Sequence, residues 1–444
     1  MDAFENIPGI KTNDSVVIFW FRRDLRIDDN TGLYHALNSG KKVLPIFIFD
    51  TEIIEHPDKR TDARIIFIRN ALQMIQEKLQ SSGSSLLLLT GKPTEIFNGL
   101  TEKLNIHEVY TNHDYEPYAI KRDQAVATLL QLKGIGFKTF KDQVIFEKND
   151  IIKANGEPYT VFTPYSRQWI KTINKLTLSL YNPQQLIHNL VRCEIPRSDE
   201  MLKNTISIDS LPTKPEIPLD IIRNYHLTRD IPSIEGTSKL SHHLRFGTIS
   251  IRKLVNMAME LNETFLGELI WREFFMMILW YFPGVVTNSF KTKYASIEWK
   301  NNENEFIRWC NGETGYPLVD AGMRELNATG WMHNRVRMIT AGFLVKHLLI
   351  DWRWGEAYFA QKLLDFELSS NNGNWQWAAG CGCDAAPYFR IFNPYEQAKK
   401  FDPHHTYIIK WVPEYGTKNY AQPMVEHNFA RQRAINTYKR SLLY

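Results

Sequence analysis

Cysteine is scarce in this chain, with four residues in 444, and only Cys381 and Cys383 lie close together. That excludes the dense disulfide framework of a small secreted protein and points to a reducing, intracellular setting. Long apolar runs are missing too. The longest, FFMMILWYF from Phe274 to Phe282, is far too short to span a bilayer, and the opening MDAFENIPGIKTNDS has acids but no apolar core of a secretory signal. A soluble protein with no membrane partner is expected. Excess charge of one sign is absent: the formal net charge is +4, so any polyanion must be bound by a local basic surface. No glycine-rich phosphate loop follows the first strand-like run, which excludes a dinucleotide held by that device. Internal repeats and low-complexity segments are lacking, and after Glu426 about one helix remains, so no long polar tail is expected.

What is present is apolar and aromatic. A hydrophobic share of 43% over this length is enough for two cores, since single cores rarely exceed about 250 to 300 residues. From Ser15 to about Lys133 short β-rich runs (SVVIFWF, KVLPIFIF, SLLLLT) alternate with amphipathic stretches, the pattern of a parallel α/β sheet. Between about Gly134 and Ser207 the periodicity weakens and turn formers recur. From about Ile208 onward apolar spacing of three and four is almost continuous. The expected organisation is an α/β domain over 14–134, a surface-wrapped connector over 135–207 and a helical domain over 208–444. Aromatics make up 13%, with 12 Trp, and their placement carries more than their number.

In LGELIWREFF, residues Glu268, Trp271, Arg272 and Phe275 fall at offsets of three, four and seven, on one helical face. An acid, an indole and a guanidinium together do not make a core stripe. On a later helix Asn334, Arg337 and Met338 share a face, with Arg335 turned elsewhere. Either face alone reads equally well as a solvated stripe with an ion pair; the two together suggest a shared pocket. The segment DFELSSNNGNWQWAAGCGCDAAPYFRIFNP crowds Asn, Gly, Trp and Asp in a stretch expected to be only partly helical, which suits a ligand site. Trp375 and Trp377, two apart, should point in different directions. Tyr388, Arg390, Asn393 and Lys400 then interleave basic and aromatic groups, as a flipped base and its phosphates require.

The segments FWFRRDLRIDDN, EGTSKLSHHLRFGTIS, ELIWREFF, TGYPLVDAGMRELNATGWMHNRVRM and NNGNWQWAAGCGCDAAPYFRIFNP resemble the photolyase and cryptochrome family, specifically class I cyclobutane dimer photolyases, from Ser15 to the C-terminal region. The resemblance implies an N-terminal Rossmann-like α/β antenna domain and a C-terminal helical domain holding FAD. It implies light-dependent DNA repair, in which excited reduced FAD passes an electron to a flipped-out cyclobutane pyrimidine dimer and splits it. By motif position Tyr225, Thr237, Ser238, Leu240, Arg272, Asn334, Arg337, Asp365, Glu367 and Asn371 would line the flavin pocket, with Arg337 and Asp365 paired and Asn371 facing the reactive nitrogen. Glu268, Asn334 and Met338 would contact the dimer, and Trp271 and Trp377 would wall it. Arg229, Arg335, Arg390 and Lys400 would meet phosphates, and Trp375, Trp352 and Trp299 would relay electrons from flavin to surface. A cytoplasmic monomer in a prokaryotic cell, associated with the nucleoid when on DNA, is the implied setting.

The nearest alternative is a cryptochrome-type blue-light photoreceptor, disfavoured by Asn371 where plant-like members carry aspartate and by the short C-terminus. Repair of (6-4) photoproducts is disfavoured by Asn334 and Met338 in place of histidines, and a non-catalytic flavoprotein or nucleic-acid binding module leaves the set from Glu268 to Trp377 without purpose. No metal site is expected: CxC at Cys381 and Cys383 reads as small buried residues and His242-His243 as a helix end or surface feature. Glu367 replaces the usual aspartate. Tyr118 and Ala119 stand where folate-binding members have polar and acidic residues, so a second chromophore, if present, is a deazaflavin or flavin more readily than a folate.

Overall fold

The computed structural model describes residues 14–54, 62–193, 195 and 215–442. Five parallel strands form one sheet in the order β3-β2-β1-β4-β5: β1 Ser15–Phe21, β2 Lys42–Asp50, β3 Leu87–Gly91, β4 Asn105–Asn112 and β5 Gly136–Phe140. The inner strands read as unbroken apolar runs because helices cover both faces of a parallel sheet. Along β1, Val16, Ile18 and Trp20 pack into one core with Leu44, Ile46 and Phe97, while Phe19 and Phe21 point to the other face. The crossovers hold α1 Thr31–Leu37, α2 Ala63–Gln80, α3 Pro93–Lys103 and α4 Pro117–Leu132, with one further helical turn at Thr51–Ile54. The α/β sheet expected from the alternation is present.

The chain separates into two compact units, each built from three segments: 1–147, 176–217 and 240–257 in the first, 148–175, 218–239 and 258–444 in the second. This departs from the limits read in the sequence. Strand β5, GFKTF, is a half-exposed edge strand whose weak hydrophobicity hid it, so the sheet runs past residue 134. The stretch expected as a connector holds helix α5, Phe162–Ile173, which buries Tyr165, Trp169 and Ile173 in the second unit. The expected start of the helical domain at 208 lies outside the described residues. The motif FRRDLRIDDN is partly architectural. Arg26 and Arg252 both bond the buried Asp142 at 2.8 Å, and Arg252 also holds Asp29 at 2.9 Å, a closed set of four charges inside the first unit. His242 and His243, on the helix 241–246, are buried there against Phe67, not at a surface.

Helices dominate the second unit. Those that carry the site are α6 Glu263–Tyr281, α7 Pro317–Thr329, α8 Asn334–Gly342, α9 Trp352–Lys362 and α10 Leu368–Ala379. Asn262 caps α6 by accepting the Phe265 N–H, and Asp351 caps α9 through the Arg353 N–H. Helix α10 ends at Gly380, whose φ of 84° is open to glycine at little cost. Among the described residues no helix is long and apolar enough to cross a membrane.

Candidate functional site

Helix α10 packs against α6, α8 and α9, and this contact brings distant motifs together. The segment from Asp365 to Pro394 is partly helical, as expected: Leu368–Ala379 form a twelve-residue helix and an irregular stretch follows from Gly380 to Asn393. Its two tryptophans diverge because two helical positions turn about 200°. Trp375 is buried, in edge contact with Phe359 at 5.0 Å and Trp309 at 6.1 Å, whereas Trp377 is half-buried.

Four ion pairs frame the cluster. Arg337 meets Asp365 through two hydrogen bonds, 3.2 and 2.9 Å, and donates its Nε–H to the Met332 carbonyl. The Arg272 Nε lies 3.6 Å from a Glu367 carboxylate oxygen. Glu268, half-buried on the same face of α6, is held by Arg229 at 2.6 Å. The Arg229 guanidinium also lies over the Tyr225 ring, and burial, then the Glu268 charge, push the Tyr225 phenol well above its ordinary range. Arg335 pairs with Asp230 at 2.7 Å and lies over Phe401, with Nη1 3.9 Å from the Met338 sulfur. Two of the four expected phosphate contacts, Arg229 and Arg335, are therefore already engaged by acids. Arg390, Lys400 and Asn334 are exposed.

Asn371 is nearly buried and donates its amide to the Glu356 carbonyl at 3.1 Å and to the Glu356 carboxylate at 2.9 Å. Burial raises the Glu356 carboxyl above its usual range, and the Asn371 bond opposes that rise. Thr237 and Ser238 follow a loop closed by the Thr228 hydroxyl on the Gly236 carbonyl at 2.9 Å. A side chain at Gly236 would strike the Thr228 backbone. Leu240 is buried and belongs to the first unit. Of the relay candidates, Trp375 and Trp352 are buried and Trp299 is half-buried beside Tyr438. Cys381 and Cys383 are buried, and burial pushes their thiols up to about 11 and about 12.

The sequence reading missed Glu356, Asp230 and Phe162. Phe162 stacks on Trp271 with ring centroids 3.6 Å apart and planes 6° from parallel, so one face of that indole is already covered. None of the three carries a local signal; each matters through a neighbour remote in sequence.

The donor set fits a flavin dinucleotide. Hydroxyls at Thr237 and Ser238 with the Arg272 guanidinium suit a pyrophosphate, and the Asn371 amide and the Arg337–Asp365 pair are of the kind that suits the polar edge of an isoalloxazine. The family model for the FAD binding domain of DNA photolyase matches residues 265–417, and that for DNA photolyase matches 17–184. A deoxyribodipyrimidine photo-lyase of Synechococcus sp. is 35% identical over 463 residues, 94% of this chain and 95% of that protein. The chain belongs to the photolyase/cryptochrome family. Solved photolyase structures agree across nearly the whole length. A bacterial class III photolyase from Agrobacterium tumefaciens has a TM-score of 0.82 at 30% identity, covering 99% of this chain and all of that one. An archaeal photolyase from Sulfolobus tokodaii, solved with two FAD molecules, has a TM-score of 0.78 at 33% identity, covering 96% of this chain and all of its own. The match to the FAD binding domain thus lies in the helical unit, and the strands of the α/β sheet lie within the match to DNA photolyase but for the first residues of β1.

Proposed function

We propose that this chain is a light-driven DNA repair lyase that splits cyclobutane pyrimidine dimers. The observation that carries the reading is that α6, with Glu268 and Trp271, and α8, with Asn334 and Met338, both pack against α10 and are linked by the ion pairs Glu268–Arg229, Arg229–Asp230 and Asp230–Arg335, together with a donor set suited to FAD. When bound and reduced, FAD supplies the light-driven electron that the dimer receives and returns. The protein's own part is positioning. Tyr225, Thr237, Ser238 and Arg272 hold the cofactor's phosphates and sugar, Glu367 keeps Arg272 aimed, and Arg337 with Asp365 and Asn371 lines its ring. Glu268 accepts hydrogen bonds from the base edge after exchanging its present partner Arg229. Asn334 and Met338 contact the dimer while Trp271 and Trp377 wall it. Stacking on an aromatic is worth about 1 to 3 kcal/mol per base, which offsets much of the few kcal/mol of extrusion.

Exposed Arg390 and Lys400 contact phosphates, and Arg229 and Arg335 join them when DNA competes for their acids. Trp375, Trp352 and Trp299 carry electrons outward, an assignment supported by the partial exposure of Trp299 against the burial of the other two. The enzyme acts as a monomer in the cytoplasm. A second chromophore of the flavin or deazaflavin type suits the first unit better than a folate, because Tyr118 donates its hydroxyl to Asp50 at 2.6 Å and offers no acid of its own. The deciding experiment is blue-light repair of a defined thymine dimer in duplex DNA by the purified, reduced holoprotein against a dark control. Repair in light alone is expected; none, with FAD bound and reducible, would leave a photoreceptor.

A further inference from the structure

The sandwich of Phe162 on Trp271 is not the arrangement two free aromatic rings prefer, since offset and edge contacts are favoured over parallel overlap. Something else holds it. Helix α5 is fastened to α6 by the Trp169 indole, which donates to the buried Glu273 carboxylate at 2.5 Å, and by Tyr165, whose ring lies 5.2 Å from that of Phe274. At the start of α5 the Phe162 N–H donates to an Asp384 carboxylate oxygen at 3.0 Å. Asp384 stands in the left-handed region, φ 36°, seven residues after Trp377 in the loop that follows α10. A backbone so placed costs an aspartate energy and is kept only where surrounding contacts demand it.

Taking the Trp271 and Trp377 roles above as given, we propose that Phe162 and Asp384 are positioning residues for lesion binding. Phe162 covers one face of the Trp271 indole and presents the other to the dimer. Asp384 fixes Phe162 from the same loop that leaves Trp377, so the two walls are set by one connected scaffold. Neither residue touches the substrate. Without Phe162, Trp271 keeps only its contacts with Phe274 and Phe275, at 5.6 and 5.5 Å between ring centroids, and gains room to rock about its side-chain bonds, so that ordering it adds to the cost of lesion binding.

The test compares wild type, Phe162→Leu, Phe162→Tyr and Asp384→Ala as FAD-loaded proteins, measuring dark affinity for dimer-containing and undamaged duplexes beside light-driven repair. Phe162→Leu is expected to bind the dimer-containing duplex about tenfold more weakly, with FAD content and undamaged-DNA affinity unmoved. Phe162→Tyr should recover most of the loss, and Asp384→Ala should reproduce part of it. Dimer affinity unchanged in both Phe162→Leu and Asp384→Ala overturns the positioning role while wild-type repair leaves the enzyme reading standing. Equal loss on undamaged DNA overturns it too, as a merely structural effect. Absence of repair and of dimer preference in wild type would instead fail the enzyme reading itself, and the positioning role with it.

Discussion

Asn371 gives its amide hydrogens to one residue twice, to the Glu356 backbone carbonyl and to the Glu356 carboxylate. With the NH₂ group so committed, the side-chain carbonyl is the polar atom left to face a flavin nitrogen, and a carbonyl accepts only from a protonated one. Asn371→Asp would remove both donated bonds and set two carboxylates side by side, one of them already raised in pKa. A change in the resting redox state of bound FAD is expected, read from its absorption spectrum under fixed reducing conditions. Identical spectra would detach Asn371 from the flavin.

Removing the Asp365 charge should strand Arg337. The pair is two-bonded and Asp365 is nearly buried, so Asp365→Asn leaves a guanidinium short of its counter-ion at a cost of about 3 kcal/mol. Retention of FAD through gel filtration should fall by tenfold or more; full retention would show that the pair holds the fold and not the cofactor.

Glu268→Ala should keep FAD and lose about tenfold in dimer affinity together with repair yield, on the scale of one lost charge-assisted hydrogen bond. An unchanged quantum yield removes Glu268 from the substrate role.

Trp299→Phe should abolish light-driven reduction of oxidised flavin but spare repair by protein reduced chemically beforehand. Photoreduction at the wild-type rate would refute the outward relay.

Acid should unfold this protein through its histidines. Burial pushes His243 down to about 3, His333 to about 4 and His347 to about 3. The unfolded chain takes up these protons near pH 6.5 and the folded one does not, so stability is full above about pH 6.5 and falls as pH drops toward 4. Up to three protons contribute, each at about 1.4 kcal/mol per pH unit. Urea midpoints at pH 7 and pH 5 test this: a much lower midpoint at pH 5 is expected, and His333→Gln should shrink the difference.

The face of α6 was legible because helical periodicity alone puts Glu268, Trp271 and Arg272 together, and the divergence of Trp375 and Trp377 follows from the same turn angle. The parallel sheet was legible for a similar reason, since strands buried on both faces must be apolar throughout. Edge strand β5 was not, because an edge needs little apolar surface to stay in place. Helix α5 was lost in a stretch of weak periodicity that proved to be part of the second unit's core.

By itself the amino-acid sequence determined which residues share a helical face, that the first third forms a parallel sheet, and through long contiguous motifs the family to which the chain belongs. Tertiary structure alone decided the partners: Glu356 for Asn371, Arg229 for Glu268, Asp230 for Arg335 and Phe162 for Trp271. Local periodicity reaches only a few residues along the chain. These contacts join positions from 15 to 109 residues apart, and they exist because the fold brings helices, and the turn that holds Arg229 and Asp230, side by side.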